Sequence, residues 1–189
     1  GTAITHASII NLKQSLIKQI FHDLLGDLSG VRVGLNASIS FDASVQQLLL
    51  LMHGCTLYPI PEDVRIDVML LANAICEWRL DAIDCTPAQL SMLLQANEAI
   101  HLPQYLLIGG EAIDQQLWNR LRKRSERFFN VYGPTETTVD TTICDIHLIG
   151  ELPLLGVPVA NAQIYLLNGD LDLVPIGMSG EVYIAGSGL

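Results

Sequence analysis

The sequence is poor in charge, and above all in positive charge. Of its 189 residues, 10 are Lys or Arg and 20 are Asp or Glu, which gives a formal net charge of −10. Proteins that bind the phosphate backbone of nucleic acids need the opposite balance. Half of the basic residues fall within residues 120–127, a run that is typical of the solvated end of a helix. Nucleic acid is therefore not an expected partner.

The sequence also lacks an apolar run long enough to span a membrane. Half of its residues are apolar, but the longest run, residues 45–60, is interrupted by Gln46, Gln47, His53 and Gly54. The N-terminus shows no basic segment followed by an apolar one, so no secretory signal is indicated. The apolar residues are expected to form the core of a cytoplasmic protein without a membrane partner.

Motifs of the common metal and nucleotide sites are missing as well. Cys55, Cys76, Cys85 and Cys144 have no C-x-x-C spacing and are expected to be buried free thiols. The five histidines are scattered, and there is no H-E-x-x-H, no G-x-x-x-x-G-K-[ST] and no complete G-x-G-x-x-G. A Ser-His-Asp triad stays open, although no G-x-S-x-G motif supports it.

Predicted strands and helices alternate along most of the chain. Periodicity predicts helices over residues 8–24, 42–54, 61–79, 87–97 and 111–124, and strands over 30–38, 55–60, 80–86, 105–110 and 128–133. This alternation is typical of an α/β protein in which helices cover both faces of a parallel sheet. After about residue 142 the pattern changes to hairpins broken by turns that contain Gly or Pro, which predicts a small antiparallel β region.

The carboxyl ends of the predicted strands are the expected ligand edge of such a sheet. The residues that the strands deliver to this edge are Phe41, Asp42, Asp84, Leu107, Gly109, Gly110, Val131 and Tyr132. They are followed by a threonine-rich loop, YGPTETT, at residues 132–138. Hydroxyl and backbone N–H groups of this loop can hold phosphate oxygens, and Glu136 can bind a bridging Mg²⁺ ion. An ordinary turn with hydroxyl-capped ends is the alternative interpretation.

Five stretches of the sequence resemble the adenylation domains of nonribosomal peptide synthetases, which belong to the superfamily of adenylate-forming enzymes. The stretches are ITHASIINL at residues 4–12, SFDASVQQLL at 40–49, LLIGGEAI at 106–113, NVYGPTETTVDTT at 130–142 and GEVYIAGSGL at 180–189. They occur in the order and at about the spacing of that family. The resemblance covers essentially the whole chain and implies a flavodoxin-like parallel sheet followed by the start of a smaller β subdomain.

The resemblance implies a reaction, a set of cofactors and a set of partners. Such domains join an amino acid to ATP, release pyrophosphate, and pass the aminoacyl group to the phosphopantetheine thiol of a carrier protein beside other synthetase domains. By motif, Asp42 resembles the residue that pairs with the α-ammonium group of the amino acid, and Glu136 resembles the Mg²⁺ ligand. The residues that correspond to the nucleotide site are Gly110, Glu111, Ala112, Tyr132, Gly133 and Thr135.

The resemblance also identifies the positions that select the amino acid. They correspond here to Asp42, Ala43, Gln46, Asp84, Leu107, Gly109, Val131, Val139 and Asp140. This set resembles the pattern associated with glutamine, and its polar members can donate to and accept from a side-chain amide. Glutamate ranks second, because it would meet two carboxylates without a visible cation.

Several parts of the family's domain are expected to lie outside the chain. The resemblance places the phosphate loop before residue 4, and the ribose-binding aspartate and the catalytic lysine after residue 189. Residues 1–145 are expected to form an α/β substrate-pocket subdomain, and residues 146–189 the start of a truncated β subdomain. The fragment alone is thus expected to be incomplete, and its catalytic residue is unknown. Two alternatives stay open: an isolated, non-catalytic module that binds an amino acid or a nucleotide, and a carboxylate–CoA ligase of the same superfamily.

Overall fold

A computed structural model describes residues 1–24, 27–97 and 100–189. Its helices are α1 (His6–Gln19), α2 (Ala43–Leu50), α3 (Glu62–Ile66), α4 (Val68–Glu77), α5 (Pro87–Ala96) and α6 (Gln115–Leu121). Its strands are β1 (Arg32–Leu35), β2 (Thr56–Pro59), β3 (Ala82–Cys85), β4 (Tyr105–Ile108), β5 (Arg127–Tyr132), β6 (Thr142–Asp145), β7 (Val157–Pro158), β8 (Ala162–Leu167) and β9 (Glu181–Gly186). Short 3₁₀ turns occupy His22–Leu24, Leu51–His53 and Thr135–Thr137.

The strands form one large sheet and one small one. The large sheet has the strand order β2-β1-β3-β4-β5-β6-β7, and β1 to β5 run parallel. β6 and β7 extend it as antiparallel strands, which the sequence patterns did not predict. β8 and β9 pair with each other as an antiparallel sheet. The predicted fold class is confirmed, while the division at residue 145 stays a prediction, since β7 lies after it and still joins the large sheet.

Helices cover both faces of the large sheet, as predicted. Successive residues of a strand point to opposite faces, and β4 shows the result: Leu106 and Ile108 belong to one buried cluster, whereas Tyr105 and Leu107 belong to another. The first cluster also holds apolar side chains of α4, α5 and α6, including Trp118. The second holds side chains of α1 and α2. The sheet is thus sandwiched between two apolar layers.

Aspartate caps break the chain at places where periodicity predicted continuous helices. Residues 61–79 form two helices, because Asp67 leaves the helical conformation (φ −102°, ψ 116°) and accepts hydrogen bonds from the N–H groups of Met69 and Leu70. The helix predicted over 111–124 begins only at Gln115, after Asp114 caps it. The helix predicted over 8–24 runs from His6 to Gln19 and is followed by a separate 3₁₀ turn.

Other local expectations have mixed outcomes. Thr86 caps α5 and Pro87 occupies its first turn, as predicted. Gly54 ends the 3₁₀ turn after α2 in the left-handed conformation, with φ 89°. Cys55, Cys85 and Cys144 are buried free thiols, but Cys76 is exposed, so that part of the expectation is wrong. None of the helices within the described ranges combines the length and apolar content needed to cross a bilayer.

The cap at Asp67 generates a stability prediction. Asp67→Ala leaves two N–H groups at the start of α4 without their side-chain acceptor, so we expect the free energy of unfolding to fall by about 1 kcal/mol. Urea unfolding followed by circular dichroism measures the change. Asp67→Asn keeps a side-chain oxygen and is expected to stay close to the unsubstituted chain. An equal loss in both variants would show that the charge, and not the cap, stabilises α4.

Candidate functional site

A cavity of about 670 Å³ opens at the carboxyl edge of the parallel strands. All nine positions predicted to select the amino acid line it: Asp42, Ala43, Gln46, Asp84, Leu107, Gly109, Val131, Val139 and Asp140. Gly110 and Gly133 line it as well. A cavity of this size is typical of small-molecule sites. The structure therefore brings together residues that lie almost a hundred positions apart in the chain.

The fold explains how these side chains reach one cavity. Asp42 precedes α2, which follows β1. Asp84 lies in β3, Leu107 in β4 and Val131 in β5, in neighbouring parallel strands. Because parallel strands end at the same edge, their last inward-facing residues form a continuous wall.

The loop between β5 and β6 supplies the remaining wall. Gly133 is required here, because a Cβ atom would lie 2.3 Å from the carbonyl oxygen of Val139 and 2.7 Å from the backbone nitrogen of Thr141. Thr138 and Val139 adopt positive φ angles of 63° and 65°, which are rare for β-branched residues. Strained conformations of this kind cluster at functional sites. The tight reversal leaves Asp140 only 3% exposed, at the cavity wall.

The cavity contains polar atoms that have no hydrogen-bond partner within the described residues. They are Asn36 Oδ1, Gln46 Oε1, Asp84 Oδ1 and Asp140 Oδ2. Each of the four is an oxygen that can accept a hydrogen bond. Buried polar atoms without partners are costly, so this arrangement fits a ligand that carries N–H donors. Gln46 orients the carboxyl group of Asp140 by donating a hydrogen bond from Nε2 to Asp140 Oδ1 at 3.0 Å.

Burial changes the protonation of two cavity carboxyls. Burial, reinforced by the negative charges of Asp42 and Asp84, raises the pKa of Asp140 to about 8. Burial also raises the pKa of Asp84 to about 7, although nearby backbone N–H groups and the charge of Arg65 act in the opposite direction. Asp84 is partly accessible from the cavity, but its Oδ1 atom is buried. Perturbed carboxyls in a cavity are typical of functional sites.

Of the six residues assigned to the nucleotide by resemblance, Gly110 and Gly133 line the cavity, and the other four are exposed residues close to them in the chain. Tyr132 ends β5 with 37% of its surface exposed. Glu111 and Ala112 are exposed, and Glu111 accepts a hydrogen bond from the N–H of Ala88. Thr135 is also exposed, and its hydroxyl donates to Asp42 Oδ2 at 2.5 Å. This hydrogen bond joins the predicted nucleotide residues directly to the predicted amino-acid residues.

Glu136 lies in the 3₁₀ turn Thr135–Thr137 and is exposed. No group of three or more His, Cys, Asp or Glu side chains within the described ranges is arranged to hold a metal ion. A lone carboxylate nevertheless fits Mg²⁺ in nucleotide sites, because water and phosphate oxygens supply most of its ligands there. Glu136 therefore fits the predicted role, which stays a prediction.

Sequence reasoning missed several residues of the cavity wall. Arg65 matters most, because it supplies a cation at the cavity that the ranking of glutamate below glutamine did not take into account, although it is itself ion-paired with Glu62. Glu62, Asn36 and Gln89 also line the cavity. The sequence places Glu62 and Arg65 in a predicted helix but does not show which way they point. They are brought to the site by the end of α3 at Asp67 and by the hydrogen bond from Arg65 Nη1 to the carbonyl oxygen of Asn36, the residue after β1.

The fold and the cavity define an α/β protein with a cavity of small-molecule size at the carboxyl edge of its sheet, where such folds bind their ligands. The family model described as "AMP-binding enzyme" matches residues 1–189. The chain belongs to this family. The match confirms the assignment to adenylate-forming enzymes that the sequence motifs predicted.

Individual relatives connect the chain with peptide synthetases. It is 36% identical to the AMB antimetabolite synthetase AmbE of Pseudomonas aeruginosa over 100% of this chain and 9% of that protein. It is 33% identical to tyrocidine synthase 1 of Brevibacillus parabrevis, over 100% and 17%. The dapdiamide synthesis protein DdaD of Enterobacter agglomerans is 32% identical, over 98% and 32%. The chain thus spans about a third or less of the length of these curated relatives.

Solved structures agree with this assignment. A four-domain nonribosomal peptide synthetase in its holo form, bound to AMP and glycine, matches with a TM-score of 0.88 and 32% identity, over 100% of this chain and 14% of that one. The N-terminal subdomain of Klebsiella oxytoca NpsA matches with a TM-score of 0.75 and 24% identity, over 98% and 48%, and shows the fold alone. The predicted likeness to adenylation domains of peptide synthetases is confirmed.

The raised pKa of Asp140 predicts how stability depends on pH. The folded state holds the Asp140 proton up to about pH 8, whereas the unfolded chain loses it near pH 4, so this group lowers stability as pH rises between these values. Asp140→Asn removes the effect and keeps the oxygen that accepts from Gln46. We expect it to raise the free energy of unfolding by about 1–3 kcal/mol more at about pH 8 than at about pH 5.

Urea unfolding at both pH values measures this difference. Asp170→Asn changes an exposed carboxyl in the turn after β8 and serves as the matched control. The control is expected to show the same effect at both pH values. A pH-independent effect of Asp140→Asn would contradict the burial argument.

Proposed function

We propose that this chain forms the substrate pocket of an amino-acid-activating adenylation domain in a longer peptide synthetase. The observation that carries the proposal is the convergence of nine predicted positions on one cavity whose wall holds four oxygens without a hydrogen-bond partner among the described residues. The relatives support the setting, since each is several times longer than the match. The amino acid, ATP, a carrier protein and further synthetase domains are the partners in this proposal.

Asp42 is proposed to bind the α-ammonium group of the amino acid. It lies in the cavity wall at the start of α2, where a carboxylate can form a charge-assisted hydrogen bond with an ammonium donor. A simple carboxylic acid offers no such donor, which argues against a carboxylate–CoA ligase. The α-carboxylate of the amino acid would then face the outer side of the cavity, where Thr135 and Tyr132 lie.

The side chain of the substrate is proposed to be that of L-glutamine, with L-glutamate second. A primary amide carries two N–H donors and one acceptor. Asp84 Oδ1 and Gln46 Oε1 offer unpaired acceptors for the N–H groups, and a protonated Asp140 can donate to the amide oxygen. An apolar side chain would leave these groups unpaired, which is costly. Ala43, Leu107, Gly109, Val131 and Val139 supply the apolar or small surfaces around the aliphatic part of the side chain.

ATP is proposed to bind at the outer side of the same cavity. Tyr132 offers an exposed ring for stacking on adenine, beside the segment of Gly110, Glu111 and Ala112. Thr135 offers a hydroxyl to the phosphates, and Gly133 permits the tight chain reversal beside it. Glu136 would hold Mg²⁺, which neutralises phosphate charge when bound.

The proposed reaction follows from this placement. A carboxylate oxygen of the amino acid attacks the α-phosphorus of ATP, the bond to the bridging oxygen breaks, and pyrophosphate leaves. The aminoacyl-AMP would then pass its acyl group to the phosphopantetheine thiol of a carrier protein, with AMP as the leaving group and a thioester as the product. Within this chain, Asp42 and the cavity wall would hold the amino acid in line for the attack, which lowers the entropic part of the barrier.

The role of Asp42 is testable by ATP–pyrophosphate exchange in the complete gene product that contains residues 1–189. Asp42→Ala removes the only proposed partner of the ammonium group, so we expect glutamine-dependent exchange to fall at least about 100-fold. Asp172→Ala, an exposed change in the β8–β9 hairpin, is the matched control and is expected to keep its activity. Retained exchange in Asp42→Ala would remove the assigned role, and a preference for an apolar amino acid would refute the pocket assignment.

The role of Glu136 is testable through the metal requirement. Glu136→Gln removes one ligand charge, so we expect the Mg²⁺ concentration for half-maximal exchange to rise about 10-fold or more. Exchange rates across a magnesium titration measure the shift. Glu151→Gln changes another exposed carboxylate, distant from the 3₁₀ turn in sequence, and is expected to leave the titration unchanged. Identical titrations for both variants would contradict the metal role.

A further inference from the structure

Arg65 and Glu62 form an ion pair in the wall of the cavity. Both lie in α3, at positions i and i+3, and both line the cavity. The side chain of Arg65 is 19% exposed, whereas that of Glu62 is 75% exposed. Among the described residues that line the cavity, Arg65 is the only Lys or Arg, and it shares the wall with the carboxyls Asp42, Asp84 and Asp140.

A network of hydrogen bonds holds Arg65 at this place. Its Nη1 atom donates to the carbonyl oxygen of Asn36, and its own carbonyl oxygen accepts from Gln89 Nε2 at 2.9 Å. Asn36 Nδ2 donates to Gln89 Oε1 and to the carbonyl oxygen of Asp84. The network ties α3 to β1, β3 and α5 around the cavity, so the guanidinium group is positioned by the fold and not only by Glu62.

The charge of Arg65 acts inside the cavity. It lowers the pKa of Asp84 against the larger opposing effect of burial. Glu62 compensates this charge from the solvent side. Exposed ion pairs of this kind are weak, because water and salt screen them. Loss of Glu62 would thus leave the fold intact and remove the one carboxylate that is ion-paired with Arg65 among the described residues.

We propose that the Glu62–Arg65 ion pair sets whether the pocket prefers an amide or a carboxylate at the end of the substrate side chain. While Glu62 accepts from Nη2 of Arg65, the positive charge of this wall is compensated, and the amide of glutamine fits best. With Glu62 neutralised, Nη2 could donate to a substrate carboxylate in a charge-assisted hydrogen bond, while Nη1 stays on the carbonyl oxygen of Asn36. This inference rests on the proposed function and adds two specificity-determining residues outside the nine positions predicted by resemblance.

The test compares glutamate with glutamine in ATP–pyrophosphate exchange by the complete gene product. The measured quantity is the kcat/KM for glutamate divided by that for glutamine. We expect Glu62→Gln to raise this ratio about 10-fold and Arg65→Gln to lower it. The double variant is expected to lose the rise seen in Glu62→Gln. Asp63→Asn removes the same charge from the same helix at an exposed residue outside the cavity wall, and is expected to leave the ratio unchanged.

Each outcome decides the proposal. An unchanged ratio in Glu62→Gln, with glutamine exchange intact, would overturn this inference and leave the proposed function standing. A rise that persists in the double variant would also overturn it, because Arg65 would then not be its cause. An equal rise in Asp63→Asn would assign the effect to net charge. Failure of both amino acids to support exchange in the unsubstituted protein would overturn the proposed function together with this inference. Glu62→Gln alone carries the test if Arg65→Gln fails to fold.

Discussion

The candidate site depends on how closely the chain folds back on itself between β5 and β6. The N–H of Thr141 donates to the carbonyl oxygen of Tyr132 at 2.7 Å, and the backbone around Gly133 leaves no room for a Cβ atom. This reversal turns β6 antiparallel to β5 and directs Val139 and Asp140 into the cavity, while Thr135 and Glu136 stay outside. One short loop thereby serves both the proposed amino-acid pocket and the proposed nucleotide site.

The polar groups of the cavity are costly to the fold and useful to the proposed function. Burial opposes the charge of Asp84 and Asp140, and two further cavity oxygens, Asn36 Oδ1 and Gln46 Oε1, have no hydrogen-bond partner within the described residues. A ligand with ammonium and amide groups would form hydrogen bonds with these oxygens. Binding would then offset the free energy that their burial without partners costs the folded chain. The same reasoning separates the proposed substrate from apolar amino acids, and it gives Arg65 and Glu62 a role in separating an amide from a carboxylate.

Much of the fold and of the site was predictable from local patterns. Apolar alternation and helical spacing identified the five parallel strands and the helices between them, because burial on a sheet face or a helix face repeats with a fixed period. Helix ends were less predictable: Asp67 and Asp114 stop the periodic pattern by accepting backbone hydrogen bonds, a choice that the apolar residues around them do not reveal. The antiparallel pairing of β6 and β7 was not predicted, because the residues of a short strand do not indicate which strand it pairs with.

The sequence by itself determined the alternation of strands and helices and the family motifs, since each depends on residues that are near one another in the chain. The nine positions of the proposed pocket came from the resemblance that these motifs carry. Only the tertiary structure decided that Gln46 donates to Asp140 and that Thr135 donates to Asp42. It also decided that Arg65 and Asp84 line one cavity, where the charge of Arg65 lowers the pKa of Asp84. The physical reason is that burial, unpaired atoms and shifted pKa values depend on distances between residues far apart in sequence, and packing alone sets those distances.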